Sequence, residues 1–351
     1  VGMSGGVDSS VTAALLKKRG YDVIGITFQL LPKESEKLSA CCNLNSITDA
    51  KRVAHKLNIP HYTLNIRDNF KHHVIDYFIN EYMLGHTPNP CVECNRHIKF
   101  DELEKTAKDL NADYIATGHY CKITSNPQKT RFFIKKAKDP KKDQSYFLYM
   151  LTSKQLSKTL FPLGNYLKSE IREMAIEMGL IRANKKESQD ICFITNGNYK
   201  DFIESQLEKS HFQEGDIIDS TGKKLSKHKG IYHYTIGQRK GLNISSHAPL
   251  YVIKINAKEN QIVVGHKDEL ASSTITLNKI VLTHDHKSLK NQTFDVKTRY
   301  LMTPFKCQIK TLNNNMMVLE SVAPQKFISP GQSCVIYKND TIIGGGIIAK
   351  K

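Results

Sequence analysis

Ser4-Gly5-Gly6-Val7-Asp8-Ser9-Ser10 gathers three hydroxyls, two adjacent glycines and one carboxylate into seven residues. Gly5 and Gly6 can take positive φ, so the backbone can turn sharply and approach a ligand closely. A helix starting there aims its unpaired N–H groups at the same space, which suits a phosphate or pyrophosphate. Asp8 would repel that anion directly but could hold an accompanying Mg2+. The run lacks the Gly-Lys-Ser/Thr ending of a Walker A loop. Taken alone, it also reads as a Gly-Ser turn before a helix.

Thiols supply the second kind of chemistry. Gly85-His86-Thr87-Pro88-Asn89-Pro90-Cys91-Val92-Glu93-Cys94-Asn95 places a stiff, extended Pro-Asn-Pro segment before a Cys-x-x-Cys pair. Glu187-Ser188-Gln189-Asp190-Ile191-Cys192-Phe193-Ile194 sets one thiol in strand-like surroundings, and Lys142-Asp143-Gln144-Ser145 lies in a basic loop. Singly, Cys91 and Cys94 read as half of a structural zinc site. Cys192 alone reads as a buried thiol, and the Lys142 loop as a solvated one. The chain has eight cysteines and no visible secretory signal, so they are expected as reduced thiols, metal ligands or redox groups of a cytoplasmic protein. Cys121, Cys307 and Cys334 read as packing residues, and Cys41-Cys42 as an exposed loop pair.

These groups need a frame to hold them. Val7, Val11, Ala14 and Leu15 share a helical face, so 9–18 reads as an amphipathic helix ended by Gly20. Strand-like runs at 23–28, 61–66 and 114–117 alternate with helical spacings through Ile47–Leu57, Phe70–Phe78 and Phe100–Leu110. That alternation predicts an α/β fold with a doubly wound, mostly parallel sheet. Ligands of such sheets sit at the carboxyl ends of the strands, where the opening loop, Phe28, Gly118-His119 and the segment after Ile66 would meet. Beyond about residue 200 only short strands follow, with polar turns: 216–219, 250–256, 261–265, 275–282, 294–300, 306–312, 316–320, 333–338 and 341–349. They predict a small mixed central domain and a C-terminal β-barrel. The expected division is 1–200, 201–268 and 269–351, in keeping with roughly 100–200 residues per domain. The chain opens at Val1 inside the loop, which reads as a first strand lacking its beginning.

Lys and Arg number 51 against 34 Asp and Glu, a formal charge of +17, which favours a polyanionic partner unless it reflects a Lys-rich proteome. No apolar run approaches the roughly 20 residues of a membrane helix, so no membrane partner is expected.

In order along the chain stand Ser-Gly-Gly-Val-Asp-Ser, Thr-Pro-Asn-Pro-x-x-x-Cys-Asn, Ala-Thr-Gly-His-Tyr, Lys-Asp-Gln-Ser-Tyr-Phe-Leu, Ser-Gln-Asp-Ile-Cys-Phe-Ile, Tyr-Thr-Ile-Gly-Gln-Arg-Lys-Gly-Leu and Pro-Gly-Gln-Ser. Together, from Gly2 to Gln332, they resemble the tRNA 2-thiouridylases of the PP-loop ATP pyrophosphatase superfamily. The resemblance implies ATP-dependent thiolation of the wobble uridine of tRNAs for Lys, Glu and Gln. It assigns ATP and Mg2+ as cofactors. Gly2, Met3, Ser4, Gly5, Gly6, Val7, Asp8 and Ser9 would bind the phosphates, Phe28 the adenine side, and Gly118 would be a further ATP contact. Asn89, Pro90 and Cys91 would lie against the target base, with His119, Lys142, Asp143, Gln144, Arg299, Tyr300 and Gln332 touching tRNA. Cys94 would be the nucleophile and Cys192 the persulfide carrier, fed by a cysteine desulfurase or a sulfur relay protein.

The chain departs from the family at Cys91, where many members carry Asp. Three thiols, Cys91, Cys94 and Cys192, would then suit an iron–sulfur cluster with one open position. Two competing readings remain at this stage. One is an adenylating ligase or amidotransferase of the same loop class, which needs no paired thiols. The other is a zinc-stabilised RNA-binding protein, which leaves the opening loop unexplained.

Overall fold

A computed structural model describes residues 1–31, 44–180, 191–194, 197–208, 213–284, 289 and 292–350. Cys41-Cys42 and Glu187–Asp190 of the sequence reading lie outside them. The chain divides into two compact units. One comprises Val1–Ile75, Cys91–Gly197 and Asp340–Ile342; the other comprises Asp76–Pro90, Asn198–Asn339 and Ile343–Lys351.

The first unit is built on parallel strands β1 (Gly25–Gln29), β2 (His61–Asn65) and β3 (Ile115–Ala116), the antiparallel hairpin β4 (Cys121–Ser125) and β5 (Phe132–Lys136), and β6 (Thr159–Leu160). β1 pairs with β2, and β3 with β6. Residues 1–3 lie between these pairs: the Met3 N–H donates to Ile26 O at 2.7 Å and the Gly2 N–H to Ala116 O at 2.9 Å. The parallel layer therefore runs β2, β1, residues 1–3, β3, β6. Its chain order reverses between residues 1–3 and β3, the switch point at which doubly wound sheets bind ligands. The loops leaving that point are 4–6 and 117–119, so the expected fold and the expected gathering of Ser4–Gly6 with Gly118 hold.

The helix Val7–Lys18 differs from its expected amphipathic form. Every residue from Ser9 to Leu16 is buried, because the helix also packs on Ile171 and Ala175 of the helix Lys168–Glu177. Its small polar residues make this tolerable. Ser10 Oγ–H donates to Gly6 O and Thr12 Oγ1–H to Asp8 O, each at 2.8 Å, so no hydroxyl is left unpaired there. The helical spacings around Phe70 and Phe100 contain π-helical stretches, Lys71–Asp76 and Cys94–Phe100. Such widened turns are frequent at functional sites.

The second unit holds two all-β parts. A four-stranded sheet runs β8 (Lys224–His228), β7 (Gly215–Asp219), β10 (Gln261–Gly265), β9 (Tyr251–Asn256), over a core including Ile217, Val252 and Ile262. A six-stranded barrel runs β11 (Ser272–Leu282), β14 (Met317–Gln325), β13 (Phe305–Leu312), β12 (Thr293–Lys297), β15 (Ser333–Lys338), β16 (Thr341–Ile348), and closes through β11–β16. Closure leaves no open sheet edge and encloses Leu277, Phe294, Val296, Leu319 and Ile336. β12 stops at Lys297, short of the expected 300, so Arg299 and Tyr300 lie in the turn beyond it. Among the described residues no helix is long and apolar enough to cross a membrane.

Candidate active site

Gly5 has φ +66°, and a Cβ there would fall 2.3 Å from Ser46 O, so both backbone conformation and space demand glycine. Gly6 caps the helix Val7–Lys18 in an extended conformation and without a side-chain hydrogen bond. The first N–H groups of that helix thus face the loop with no capping side chain over them, as an anion site requires. The Ser4 N–H donates to Ser9 Oγ at 3.1 Å, and the Ser9 hydroxyl donates to Gly6 O at 3.2 Å, which ties the loop to the first turn. Gly118 closes the cradle from β3. A Cβ there would come within 2.9 Å of the Asp8 carbonyl carbon and the Ser9 nitrogen. Gly2 and Met3 serve as framework: Gly2 is in the sheet ladder and Met3 is buried beneath it. Phe28 is half-buried near the carboxyl end of β1. A loop of free helix N–H groups, glycine-limited space and hydroxyls fits the phosphates of ATP.

Asp8 has partners that the motifs did not announce. Both its carboxylate oxygens accept from Lys168 Nζ, at 2.7 and 2.8 Å, and Oδ1 also accepts from the Tyr120 hydroxyl at 2.7 Å. Lys168 is 160 residues away in sequence. Nothing in the run Leu167-Lys168-Ser169-Glu170 marks it except its place at a helix start, so sequence reading missed it. Tyr120 stood in a quoted motif without a role.

The thiols occupy the same unit. Cys94 opens the π-helical stretch and is buried; Cys91, on the preceding turn Pro90–Glu93, is exposed. Cys192 is half-buried. Its neighbour Phe193 is buried edge-on against Phe70, with ring centres 5.9 Å apart, which anchors this short segment. The iron–sulfur expectation is not met: among the described residues, which include Cys91, Cys94 and Cys192, no group of three or more His, Cys, Asp or Glu could hold a metal ion. The reason is that Cys91 turns to the surface while Cys94 turns inward. Cys121, Cys307 and Cys334 are buried, and burial raises each thiol's pKa, that of Cys307 to about 12. They are the packing residues expected.

The side chains after Cys94 lock its helix. Asn95 Nδ2 donates to Phe147 O at 3.2 Å, and its Oδ1 is buried without a hydrogen-bond partner among the described residues. His97 lies 3.4 Å from both Glu93 and Asp101 and stacks on His73 with centres 4.7 Å apart. Hydrogen bonds to Asp101 and Glu93 push its pKa up to about 9. Lys99 Nζ donates to His119 Nε2 at 3.4 Å, while His119 Nδ1 lies 2.6 Å from Thr117 Oγ1. Phe100 stacks on the same imidazole. Because His119 follows Gly118, this packing joins the helix of Cys94 to the wall of the phosphate cradle. Burial, then Lys99, holds the His119 pKa well below its usual value.

Several residues expected to touch tRNA have structural partners here. His119 is buried as described. Asp143 is buried, accepting from the Ala137 and Ser145 N–H groups and the Ser145 hydroxyl. Gln144 Oε1 accepts from the Tyr120 N–H at 2.9 Å, while Lys142 beside it is half-exposed. In the second unit, Gln332 Nε2 donates to Thr87 O at 2.7 Å, and the Thr87 N–H donates to Pro330 O at 2.8 Å. Gly331, at φ +87°, fits here because a Cβ would meet Thr87 N at 3.0 Å. Thus the Pro-Gly-Gln-Ser motif clasps the segment that leads into Asn89 and Pro90. Arg299 donates to Phe327 O and Ser329 Oγ, at 3.3 and 3.0 Å, and Lys297 Nζ lies 5.7 Å from the Tyr300 ring centre.

Comparison with known proteins covers the whole chain. The family described as tRNA methyl transferase HUP domain matches residues 1–196, the tRNA methyl transferase PRC-barrel domain 200–266, and the aminomethyltransferase beta-barrel domain 272–348. A tRNA-specific 2-thiouridylase MnmA of Lachnoclostridium phytofermentans is 44% identical over 354 residues, covering 100% of this chain and 99% of that protein. A protein named tRNA-specific 2-thiouridylase MnmA 1, from Caldanaerobacter subterraneus subsp. tengcongensis, is 46% identical, covering 100% and 97%. That of Clostridium acetobutylicum is 45% identical, covering 99% and 98%. Identity of this order from end to end shows that the chain belongs to the tRNA-specific 2-thiouridylase MnmA family.

Proposed function

We propose that this protein is a tRNA-uridine 2-sulfurtransferase, which uses ATP to replace the C2 oxygen of the wobble uridine in tRNAs for Lys, Glu and Gln with sulfur. The observation that carries the reading is the union, within one compact unit, of a glycine-limited phosphate cradle with the cysteines Cys94 and Cys192. A carbonyl oxygen is a poor leaving group. Attack of the uridine O2 on the α-phosphorus of ATP releases pyrophosphate and converts that oxygen into part of a good leaving group, AMP. The cradle of Gly2–Ser9 holds the pyrophosphate end, with Gly118 against it and Phe28 on the adenine side. Mg2+ enters as the counterion of ATP.

The terminal sulfur of a Cys192 persulfide then attacks C2 and AMP departs. The Cys94 thiolate attacks Cys192 Sγ, the sulfur stays on the base, and a Cys94–Cys192 disulfide forms. In the alternative order, Cys94 first releases hydrosulfide, which attacks C2. Either route ends in a disulfide that two electrons must reduce. The persulfide comes from a cysteine desulfurase or a sulfur relay protein, in the cytoplasm. Asn89, Pro90 and Cys91 receive the flipped base. Lys142, Arg299 and Tyr300 make tRNA contacts, and His119, Asp143, Gln144 and Gln332 also hold the surrounding backbone through internal bonds.

We assign catalysis to 1–200, and tRNA binding to 201–268 and the barrel 269–351. Phosphate contacts from a chain of charge +17 position the anticodon arm, so affinity falls steeply with salt. The test is reconstitution with ATP, Mg2+, tRNA and a sulfide source. Wild type should form wobble 2-thiouridine with one AMP per product, and Cys94→Ser should form none. A methylated uridine, or activity unaffected by Cys94→Ser and Cys192→Ser, would overturn the reading.

A further inference from the structure

Lys168 is a buried amine held at both ends. Its N–H donates to Asp139 Oδ2 at 3.0 Å, fixing the start of the helix Lys168–Glu177. Its ammonium contacts both oxygens of Asp8 and lies 5.7 Å from the centre of the Tyr120 ring. The Lys168 side chain is 8% exposed and that of Asp8 34%, so the ammonium is the more deeply buried of the pair. Asp8 is in the first turn of the helix that should receive phosphate. A lone carboxylate there would repel the ligand. Ion pairs buried purely for stability are poor value, since apolar residues of similar size often serve as well. The pair therefore calls for another explanation.

In a Walker A loop, a lysine within the loop reaches the phosphates. The run Ser4–Ser10 contains no lysine. We propose that Lys168 supplies this cation from outside the loop. It pairs with Asp8 in the geometry described, and with ATP bound it turns its ammonium to the pyrophosphate portion. The exchange balances charge, because the amine leaves one anion for another. Asp8 keeps the Tyr120 hydroxyl and becomes available to the divalent cation that accompanies ATP. Asp139 holds the backbone of Lys168 through the exchange, so only the flexible side chain moves. The inference rests on reading the loop as an ATP site.

Calorimetric titration of the full chain with inorganic pyrophosphate, ATP and AMP, without divalent cations, tests it. Asp8→Asn should tighten pyrophosphate binding by removing the competing anion. Asp8→Asn/Lys168→Met leaves no unpaired buried charge and should bind pyrophosphate and ATP at least about tenfold more weakly than Asp8→Asn alone, with AMP changed less than about twofold. Equal pyrophosphate affinity in these two variants would show that Lys168 only neutralises Asp8, and would overturn the proposal. If the double variant does not fold, 15N-lysine NMR of wild type decides: pyrophosphate should shift the Lys168 Nζ signal, and an unmoved signal overturns the proposal. Wild type that binds neither pyrophosphate nor ATP would remove the ATP reading itself, and this inference with it.

Discussion

The phosphate cradle and the thiol region lie in one unit but are built differently. The cradle is made of backbone and close contacts: Gly5 against Ser46 and Gly118 against the first turn of the helix. Little of it has side-chain freedom to lose. The thiols come from two separate pieces. Cys94 belongs to a helix locked by Asn95, His97 and Lys99, whereas Cys192 belongs to a short segment anchored through Phe193 on Phe70. The difference suits a division of labour. Activation by ATP needs a preformed anion site, because preorganised N–H groups stabilise developing charge without rearranging. The proposed sulfur transfer draws on two thiols carried by separate pieces of the chain.

The largest expected effect separates the two regions outright. Cys94→Ser and Cys192→Ser should each abolish 2-thiouridine formation, yet bind ATP as wild type does. Calorimetry alongside product analysis checks both. Loss of ATP affinity in either variant would mean that thiols and cradle are one device. The mirror experiment is Gly118→Ala. Its Cβ would enter the Asp8–Ser9 backbone at 2.9 Å, and backbone cannot move aside as a flexible side chain can. ATP affinity should fall at least about tenfold, equivalent to about 1.4 kcal/mol, while the alkylation rate of Cys94 stays that of wild type.

Much of this frame was legible in the sequence. Glycine and serine announced the loop because only glycine meets its φ and space requirements, and short periodic runs announced the parallel layer and the barrel strands. What stayed hidden depends on distant pairing. Lys168 is an ordinary helix-start lysine until the fold sets it on Asp8. Gln332 and Thr87 are likewise far apart in sequence, and their hydrogen bond gives a residue expected to touch tRNA an internal partner as well. The π-helical turns at Lys71–Asp76 and Cys94–Phe100 were not visible in the sequence, because apolar spacing marks a helix without fixing its hydrogen-bond pattern. The triad of Cys91, Cys94 and Cys192 failed as a metal site because spacing along a chain does not tell which thiol turns inward.

A smaller effect should come from the anchor of the second thiol. Phe193→Leu keeps an apolar side chain but loses the edge-on contact with Phe70, worth about 0.5–1.5 kcal/mol beyond the area buried. Thiolation should slow by a few fold to about tenfold, with ATP affinity unchanged. Alkylation of Cys192, mapped by mass spectrometry, should accelerate while that of Cys94 does not. If both thiols become more reactive together, the two pieces are not independent and the comparison fails.

The smallest effect tests how firmly the other thiol is held. His97 bridges Glu93 and Asp101 on either side of the stretch that Cys94 opens, and those hydrogen bonds raise its pKa from 6.5 to about 9. A group whose pKa rises on folding stabilises the protein fully below its unfolded pKa, and that stabilisation is lost as pH climbs through the folded value. His73, stacked on His97, has its own pKa lowered by burial and then by His97 and His72, so it resists taking a second charge. Wild type should therefore exceed His97→Gln in urea midpoint near about pH 6, and the gap should narrow between about pH 6.5 and pH 9. Because His97 is half-exposed, solvent screens the pair and the gap should be modest. A gap equal at every pH would mean that the ring acts by packing on His73 alone, and that charge does not hold the helix of Cys94 in place.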